Sequence, residues 1–380
     1  MVRPRTAKPD REEVAGGPGF TRRVQRTGSS SLSITLPKAW TDSMNLQTGD
    51  TLRFRDLGEG RLEISPTRGE DAVGSRQQLL RVDASEAPPR LLARLLIGAY
   101  ITGQDRILVT SRSGLTPDQR TEIRRTVAHV LGMTVVEEES GAMEVQNFID
   151  PGKYHFQRLM GQVVRILRTE LETCRTVLTG GSVAALELLE PMEDEVDRFY
   201  LLMVRQLLLA SDDFQIARDI GVESHHYQIG SRLIAKILEV TGDLASGVAG
   251  ELGQHLDGLH RMPKSAISDL VALMTVVDTL LERTMDAFSR LSVVDANATL
   301  DELDRALSAN LTLGDVLARR VADRRVAVAA QRIVSNLVMT LEMLVIINEL
   351  TINRSVEPET VAKTDWKVTM DSREGRKEPR

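Results

Sequence analysis

Short stretches of alternating polar and apolar residues dominate the first part of the chain. The alternation runs from Ser31 to Leu36, and again from Thr51 to Phe54 and from Arg61 to Ile64. A period of two is typical of half-buried strands, and the glycine-containing link between the second pair predicts a hairpin. Pro37 predicts the first turn of a short helix that continues to Met44, because the N–H that proline lacks has no helical partner there.

The pattern changes to alternating strands and helices after Gln78. Strand-like runs at 79–83, 106–110, 134–138 and 143–146 are interspersed with helical patterns at 88–102 and 116–131. The order β-α-β-α-β-β predicts a small α/β domain over residues 72–150. The sequence has no glycine-rich phosphate-binding loop between a strand and a helix in this range, which favours a spacer or dimerisation domain.

From Lys153 to about Arg354 the pattern is helical, with breaks that divide it into six long segments. One of these breaks is predicted at Asp295. The second segment contains Asp-Glu-Val-Asp-Arg at 194–198, and the fifth contains Asp-Glu-Leu-Asp-Arg at 301–305. This internal repeat predicts two successive three-helix bundles.

The predicted fold class is therefore multidomain, with an all-β N-terminal domain, a small α/β middle domain and an all-α tandem of two three-helix bundles. Residues 1–17 and 355–380 are rich in charge and without periodicity, so they are predicted to be disordered. The three folded parts are predicted at 18–66, at 72–150 and, as two repeats, at 153–262 and 263–354.

Composition limits the classes of protein that fit. The 380 residues are 42% hydrophobic, which is enough for two or three domains with cores of their own. The formal net charge of -6 argues against a protein that coats nucleic acid along its whole surface. The single cysteine, Cys174, excludes an intramolecular disulfide and a cysteine zinc site, which suits a reducing cytoplasm. The apolar stretch from Leu337 to Leu350 is too short to span a bilayer, so we expect a soluble cytoplasmic protein.

The N-terminal block of about 45 residues is near the size at which a domain needs a partner copy to bury a core. We therefore expect a homodimer. The block contains a local basic cluster, formed by Arg22, Arg23, Arg26 and Lys38. Two-fold pairing would produce the symmetric basic surface that an operator-binding dimer needs. A solvated strand face is the alternative interpretation of these side chains.

Three segments of this block, Arg23–Leu32, Leu36–Trp40 and Leu46–Asp50, resemble the AbrB/MazE/SpoVT family in the same order along the chain. In that family two chains interleave their hairpins into one DNA-binding barrel. The resemblance implies a swapped-hairpin dimer that binds promoter DNA, with Arg22, Arg23, Arg26 and Lys38 as the contacts.

Acidic residues form stripes along the predicted helices. Glu239 and Asp243 lie one turn apart, and another stripe consists of Glu187, Glu190, Asp194 and Asp197. Like charges at this spacing destabilise an isolated helix by roughly 0.2–0.5 kcal/mol per pair, so a positive group should compensate them. That group could be Arg232, Lys236 or a bound cation, because carboxylates on facing helices suit hard cations or a carboxylate-bridged transition-metal cluster. A solvated polar face is the other interpretation.

The segments Asp194–Asp197 and Leu238–Ala245 resemble the PhoU family of phosphate-uptake regulators, and the similarity extends over residues 153–354. That family has two three-helix repeats whose (Glu/Asp)-x-x-x-Asp motifs bind metal ions. The resemblance implies a divalent or transition metal ion. Its implied ligands are Glu193, Asp194, Asp197, Glu239 and Asp243 in the first repeat, and Asp301, Asp304 and Glu342 in the second. Because Ile346 stands in the place of Asp243, we expect one site, or a second site of weaker affinity.

Together the resemblances imply a phosphate-responsive regulator of phosphate uptake. It would bind DNA through its N-terminal domain and sense the phosphate status through its metal-binding helical bundles. Its implied partners are the ATPase of a phosphate ABC transporter or a sensor kinase. The alternative is an adaptor that restrains the transporter, does not bind DNA and uses the N-terminal domain only to dimerise. An enzyme is not expected, because a di-iron site needs Glu-x-x-His on two helices and only Glu223-x-x-His226 is present.

Overall fold

The computed structural model describes residues 21–28, 31–58, 60–67, 79–222, 224–357, 360 and 363–367. The chain divides after Val73 into two compact units, which we describe one at a time. The arm predicted at 1–17 lies outside the described residues.

The N-terminal unit contains two antiparallel hairpins and one short helix. Its elements are β1 (Gln25–Thr27), β2 (Ser31–Ser33), α1 (Lys38–Ser43), β3 (Leu52–Gly58) and β4 (Arg61–Pro66). β1 pairs with β2, and β3 pairs with β4. Gly28 lies in the turn of the first hairpin with a φ of 78°, a left-handed conformation that glycine adopts without steric penalty. The predicted alternation therefore corresponds to strands, although the first hairpin pairs only three residues on each side.

This unit has no buried side chain among those whose burial is described. Apolar side chains from both hairpins are exposed instead, including Leu32 at 72%, Phe54 at 59% and Leu62 at 57%. Residues of this type normally form a core when strands pack together. Among the described residues of one chain, these apolar side chains of the hairpins are thus left exposed.

The second unit begins with a four-stranded sheet and two helices, which we call the sheet domain. Its elements are β5 (Leu79–Asp83), α2 (Leu91–Ile101), β6 (Arg106–Thr110), α3 (Pro117–Ala128), β7 (Met133–Glu138) and β8 (Ala142–Asn147), in the predicted order. The strand order is β5-β6-β8-β7, with β5 and β6 parallel and the other pairs antiparallel. Thr116 begins α3 with a capping box to Gln119, and the helix ends at Ala128 rather than at the predicted Leu131.

Eight helices follow in the described part of the chain. They are α4 (Phe156–Leu178), α5 (Glu190–Asp212), α6 (Phe214–Ile220), α7 (His225–His260), α8 (Lys264–Arg290), α9 (Val293–Asn310), α10 (Leu313–Arg320) and α11 (Arg324–Ser355). The six long helices correspond to the six predicted segments. The short helices α6 and α10 were not predicted, and they occupy equivalent places before α7 and α11. The internal repeat lies on α5 and α9, the second helix of each set.

The position of one predicted helix break was wrong, and part of the C-terminal tail is described in contact with a helix. The break predicted at Asp295 lies at Leu291, which has a φ of 53°, and at Ser292, whose side chain accepts a hydrogen bond from the Asp295 N–H. Part of the tail predicted to be disordered is described and contacts α9. There the Asp365 carboxylate accepts hydrogen bonds from Ser292 Oγ at 2.6 Å and from the Val293 N–H at 2.8 Å.

The helices share one hydrophobic core, in which α7 and α11 are central. α7 packs on α4, α5 and α11, and α11 also packs on α8, α9 and α10. By length and composition α11 is the one described helix that could cross a membrane. Its buried residues, such as Leu337, Leu341 and Leu344, face the helical core. The sheet domain has a separate core around Tyr100, Ile107 and Val145.

Candidate functional site

The predicted DNA contacts of the N-terminal unit are all exposed. Arg26 lies in β1 opposite Leu32, and Lys38 is the first residue of α1. Arg22 donates a hydrogen bond to the neighbouring Thr21 carbonyl, whereas Arg23, Arg26 and Lys38 form no ion pair within the described part of the chain. Unpaired cations on a surface can bind phosphate without first breaking an internal ion pair.

A second candidate site lies where α4, α5 and α7 meet. Gly242 on α7 sets their spacing, because a Cβ atom there would lie 3.2 Å from Val196 Cγ1 and 3.6 Å from Leu167 Cδ2. The next residue after Gly242 is Asp243, and the next after Val196 is Asp197. The close approach therefore brings acidic positions of α5 and α7 to the same level of the bundle.

The electrostatics show which carboxylates lie near one another. The pKa of Asp197 is raised to about 6, first by partial burial and then by the negative charges of Glu239, Asp243, Glu193 and Asp194. The structure thus gathers the five acids that the sequence predicts for the first repeat. We call them the acidic cluster, defined as Glu193, Asp194, Asp197, Glu239 and Asp243.

Of the two basic side chains that the sequence offers to compensate this charge, Arg232 and Lys236, one contacts an acid of the cluster. Lys236 forms an ion pair with Glu239 on the same helix. The Arg232 guanidinium instead lies over the Tyr200 ring, 5.4 Å from its centroid. Among the described residues, one lysine is paired with a cluster of five carboxylates, so most of the negative charge of the cluster has no basic partner in that part of the chain.

Glu170, on α4, belongs to this site but was not predicted. Its side chain is completely buried, and neither carboxyl oxygen has a hydrogen-bond partner. Burial, and then the charge of Glu193, raise the pKa of Glu170 to about 8. The signal was present in the sequence, because Glu170 interrupts the apolar stripe of α4 between Leu167 and Leu171.

The acids predicted for the second repeat are not gathered in this way. Asp301 and Asp304 on α9 and Glu342 on α11 are all exposed. No hydrogen bond or ion pair joins them to one another within the described ranges. Glu302, between the two aspartates, forms an ion pair with Arg283 on α8. The two repeats therefore differ in the placement of the acids that the sequence predicts for each.

The donor set of the acidic cluster fits a cation. Carboxylate oxygens suit divalent ions, and a buried carboxyl group with two unpartnered oxygens at its edge needs either a proton or a cation. No three His, Cys, Asp or Glu side chains of the described residues converge tightly enough to hold one ion as they stand. The cluster would have to close by side-chain movement to bind one.

Comparison with known proteins concerns the N-terminal unit. The family model described as "Antidote-toxin recognition MazE, bacterial antitoxin" matches residues 25–72. No curated protein and no solved structure matches the chain. The N-terminal part is thus a MazE/AbrB-like domain, in agreement with the swapped-hairpin family predicted from its sequence.

Proposed function

We propose that this protein is a homodimeric DNA-binding regulator that controls phosphate uptake in response to an ion bound by its helices. The observation that carries the proposal is the N-terminal unit, a MazE/AbrB-like domain whose apolar strand residues are exposed in the described part of the chain. A second copy that interleaves its hairpins with the first would bury Leu32, Phe54 and Leu62 in a shared core. This burial is the driving force for a dimer.

Pairing also multiplies the basic surface. Each chain contributes the exposed, unpaired side chains of Arg23, Arg26 and Lys38, with Arg22 beside them. A dimer presents two such sets related by a two-fold axis, which matches the symmetry of a palindromic operator. The acidic character of the rest of the chain confines DNA to this surface, because phosphates are repelled elsewhere.

In this proposal the acidic cluster is the sensor. An ion bound between α5 and α7 would neutralise Asp197 and its neighbours and draw the two helices together. That change would alter the spacing of the two DNA-binding halves of the dimer. The PhoU resemblance is the reason to connect ion binding by the acidic cluster with the supply of phosphate. The same resemblance makes a transporter ATPase or a sensor kinase the expected protein partner.

The test is DNA binding by the full chain to the promoter of the organism's own phosphate transporter, at several salt concentrations. Replacing Arg23, Arg26 and Lys38 together by Ala should weaken binding. It should also reduce the slope of log K against log salt by about 0.9 for each lost phosphate contact, or roughly five for the six side chains of a dimer. The control replaces three exposed arginines of the second unit, Arg158 and Arg165 on α4 and Arg261 at the C-terminal end of α7. If the two triple variants behave alike, the assigned surface is wrong.

The description of the matched family favours a second candidate, an antitoxin-type protein whose N-terminal domain belongs to a complex with a toxin. The antitoxin-type protein and the adaptor both act by binding another protein, so the same experiment tests both candidates. Loss of regulation on removal of the basic side chains, with dimerisation intact, supports the DNA-binding proposal. Unchanged regulation by the same variant supports a protein-binding function.

A further inference from the structure

A histidine of the sheet domain lies against the acidic cluster. His129 caps the C-terminal end of α3, where its backbone N–H donates to the carbonyls of Arg125 and Thr126. This position brings its imidazole Nδ1 to 3.6 Å from Asp194 Oδ1 on α5. An imidazole nitrogen from one domain therefore lies beside a carboxylate of the cluster on another.

The contact differs from an ordinary surface pair. Asp194 has no other hydrogen-bond or ion-pair partner in the part of the chain that the structure describes. A similar pair on α7, His255 with Glu251 at 3.7 Å, shows the contrast, because Glu251 also accepts a hydrogen bond from Arg332 at 2.9 Å. The charge of Glu251 is thus met by a permanent cation, whereas that of Asp194 is not.

An independent observation points to a ligand at the same place. Glu170 is completely buried, its two carboxyl oxygens have no hydrogen-bond partner, and it lies close enough to Glu193 of the cluster for that charge to act on it. An unsatisfied buried carboxyl group is costly and is retained where it has a use, such as binding a cation. Glu170 and His129 thus each lie near one of two successive acids of α5, Glu170 near Glu193 and His129 near Asp194.

We propose that His129 supplies a nitrogen ligand to a divalent transition-metal ion whose oxygen ligands come from the acidic cluster. The inference rests on the proposed function in one respect, namely that the acidic cluster binds the ion. A mixed set of imidazole and carboxylate ligands selects transition metals over calcium and magnesium, which prefer oxygen alone. The sheet domain then completes the site, and ion binding joins it to α5.

The experiment titrates the chelator-treated full chain with Co²⁺ and follows the visible d–d absorption, with an excess of Mg²⁺ present. The wild-type protein should bind Co²⁺ despite the Mg²⁺. His129→Ala should weaken binding by at least the roughly tenfold that loss of even an outer-shell partner produces, and it should shift the absorption band. His129 is half exposed, so its removal leaves the core intact. His255→Ala is the matched control and should leave affinity and spectrum unchanged.

Asp197→Asn separates this inference from the proposal on which it rests. Weak Co²⁺ binding by Asp197→Asn and by His129→Ala supports both the acidic cluster as the ion site and His129 as a ligand. Weak binding by Asp197→Asn with wild-type affinity and spectrum in His129→Ala overturns the role of His129 and leaves the acidic cluster as the site. If the wild-type chain does not bind Co²⁺, both the acidic cluster as the ion site and the role of His129 are overturned. Wild-type affinity in Asp197→Asn overturns both as well, because the oxygen ligands would then lie elsewhere.

Discussion

The buried carboxyl group of Glu170 predicts a specific dependence of stability on pH. Its pKa is about 8 in the folded protein and 4.5 as an ordinary glutamate. Below pH 4.5 the group is protonated in both states and contributes nothing to the pH dependence. Between pH 4.5 and about 8 the unfolded chain releases the proton while the folded chain keeps it, so the free energy of unfolding falls as pH rises.

The size of the effect follows from the same two values. Each pH unit in this window lowers the free energy of unfolding by roughly 1.4 kcal/mol, which gives about 5 kcal/mol as an upper value over the whole window. Glu170→Gln removes the titration but keeps a buried polar group, so its own penalty is the same at every pH. We therefore expect the difference between wild type and Glu170→Gln to change by about 3 to 5 kcal/mol from pH 5 to pH 8.5, in favour of the variant at high pH.

The assay is urea unfolding in the presence of a chelator, followed by circular dichroism at 222 nm, across that pH range. Glu172→Gln is the control, because Glu172 lies on the same helix but is 54% exposed and forms an ion pair with Arg175. Its stability should run parallel to that of the wild type. If the Glu170→Gln curve is also parallel to the wild-type curve, Glu170 is ionised in the folded protein and the interpretation of the site is wrong.

Three further predictions test other parts of the chain. Leu32→Asp should convert the dimer to a monomer in sedimentation equilibrium, because it puts a charge into the proposed shared core, whereas the neighbouring Ser31→Asp should remain a dimer. Arg205→Met should lower the free energy of unfolding by about 3 to 5 kcal/mol in urea, since the buried guanidinium is paired with Asp105, and an effect below 1 kcal/mol would show that the pair is dispensable. Cys174 should react with a thiol reagent at pH 8 only as fast as the protein unfolds, because burial and then the charge of Glu170 raise the pKa of its thiol to about 12. Equal reaction rates in native buffer and in urea would contradict this prediction.

Periodicity predicted the parts of the fold that depend on local sequence. The six long helices, the order of the sheet domain and the acidic stripes along α5 and α7 follow from spacings of two, three or four residues, whereas the pairing of acids from the two helices was implied by the PhoU resemblance. The error at Asp295 is also local, because Ser292 three residues earlier is the N-cap and the aspartate belongs to the first turn of α9.

The features that the sequence did not predict depend on distant contacts. His129 and Asp194 belong to different domains, so no spacing connects them. Glu170 is marked in the sequence only by its place within the apolar stripe of α4, and the folded structure is needed to show that its carboxyl group is enclosed. The expectation from Ile346 of a weaker second site stays a prediction, and the exposure of Asp301 and Asp304 required the structure.

α5 connects the acidic cluster to the sheet domain through contacts that leave little freedom. Its first turns carry the acids, whereas Arg205 in its second half is buried, lies 4.8 Å from the centroid of the Tyr100 ring and pairs with Asp105. Gln206 beside it donates hydrogen bonds to the carbonyls of Pro151 and Tyr154. A rotation of α5 at the cluster would therefore be resisted by buried polar contacts unless the sheet domain moved with the helix. The buried contacts of Arg205 thus tie the second half of α5 to Tyr100 and Asp105 of the sheet domain.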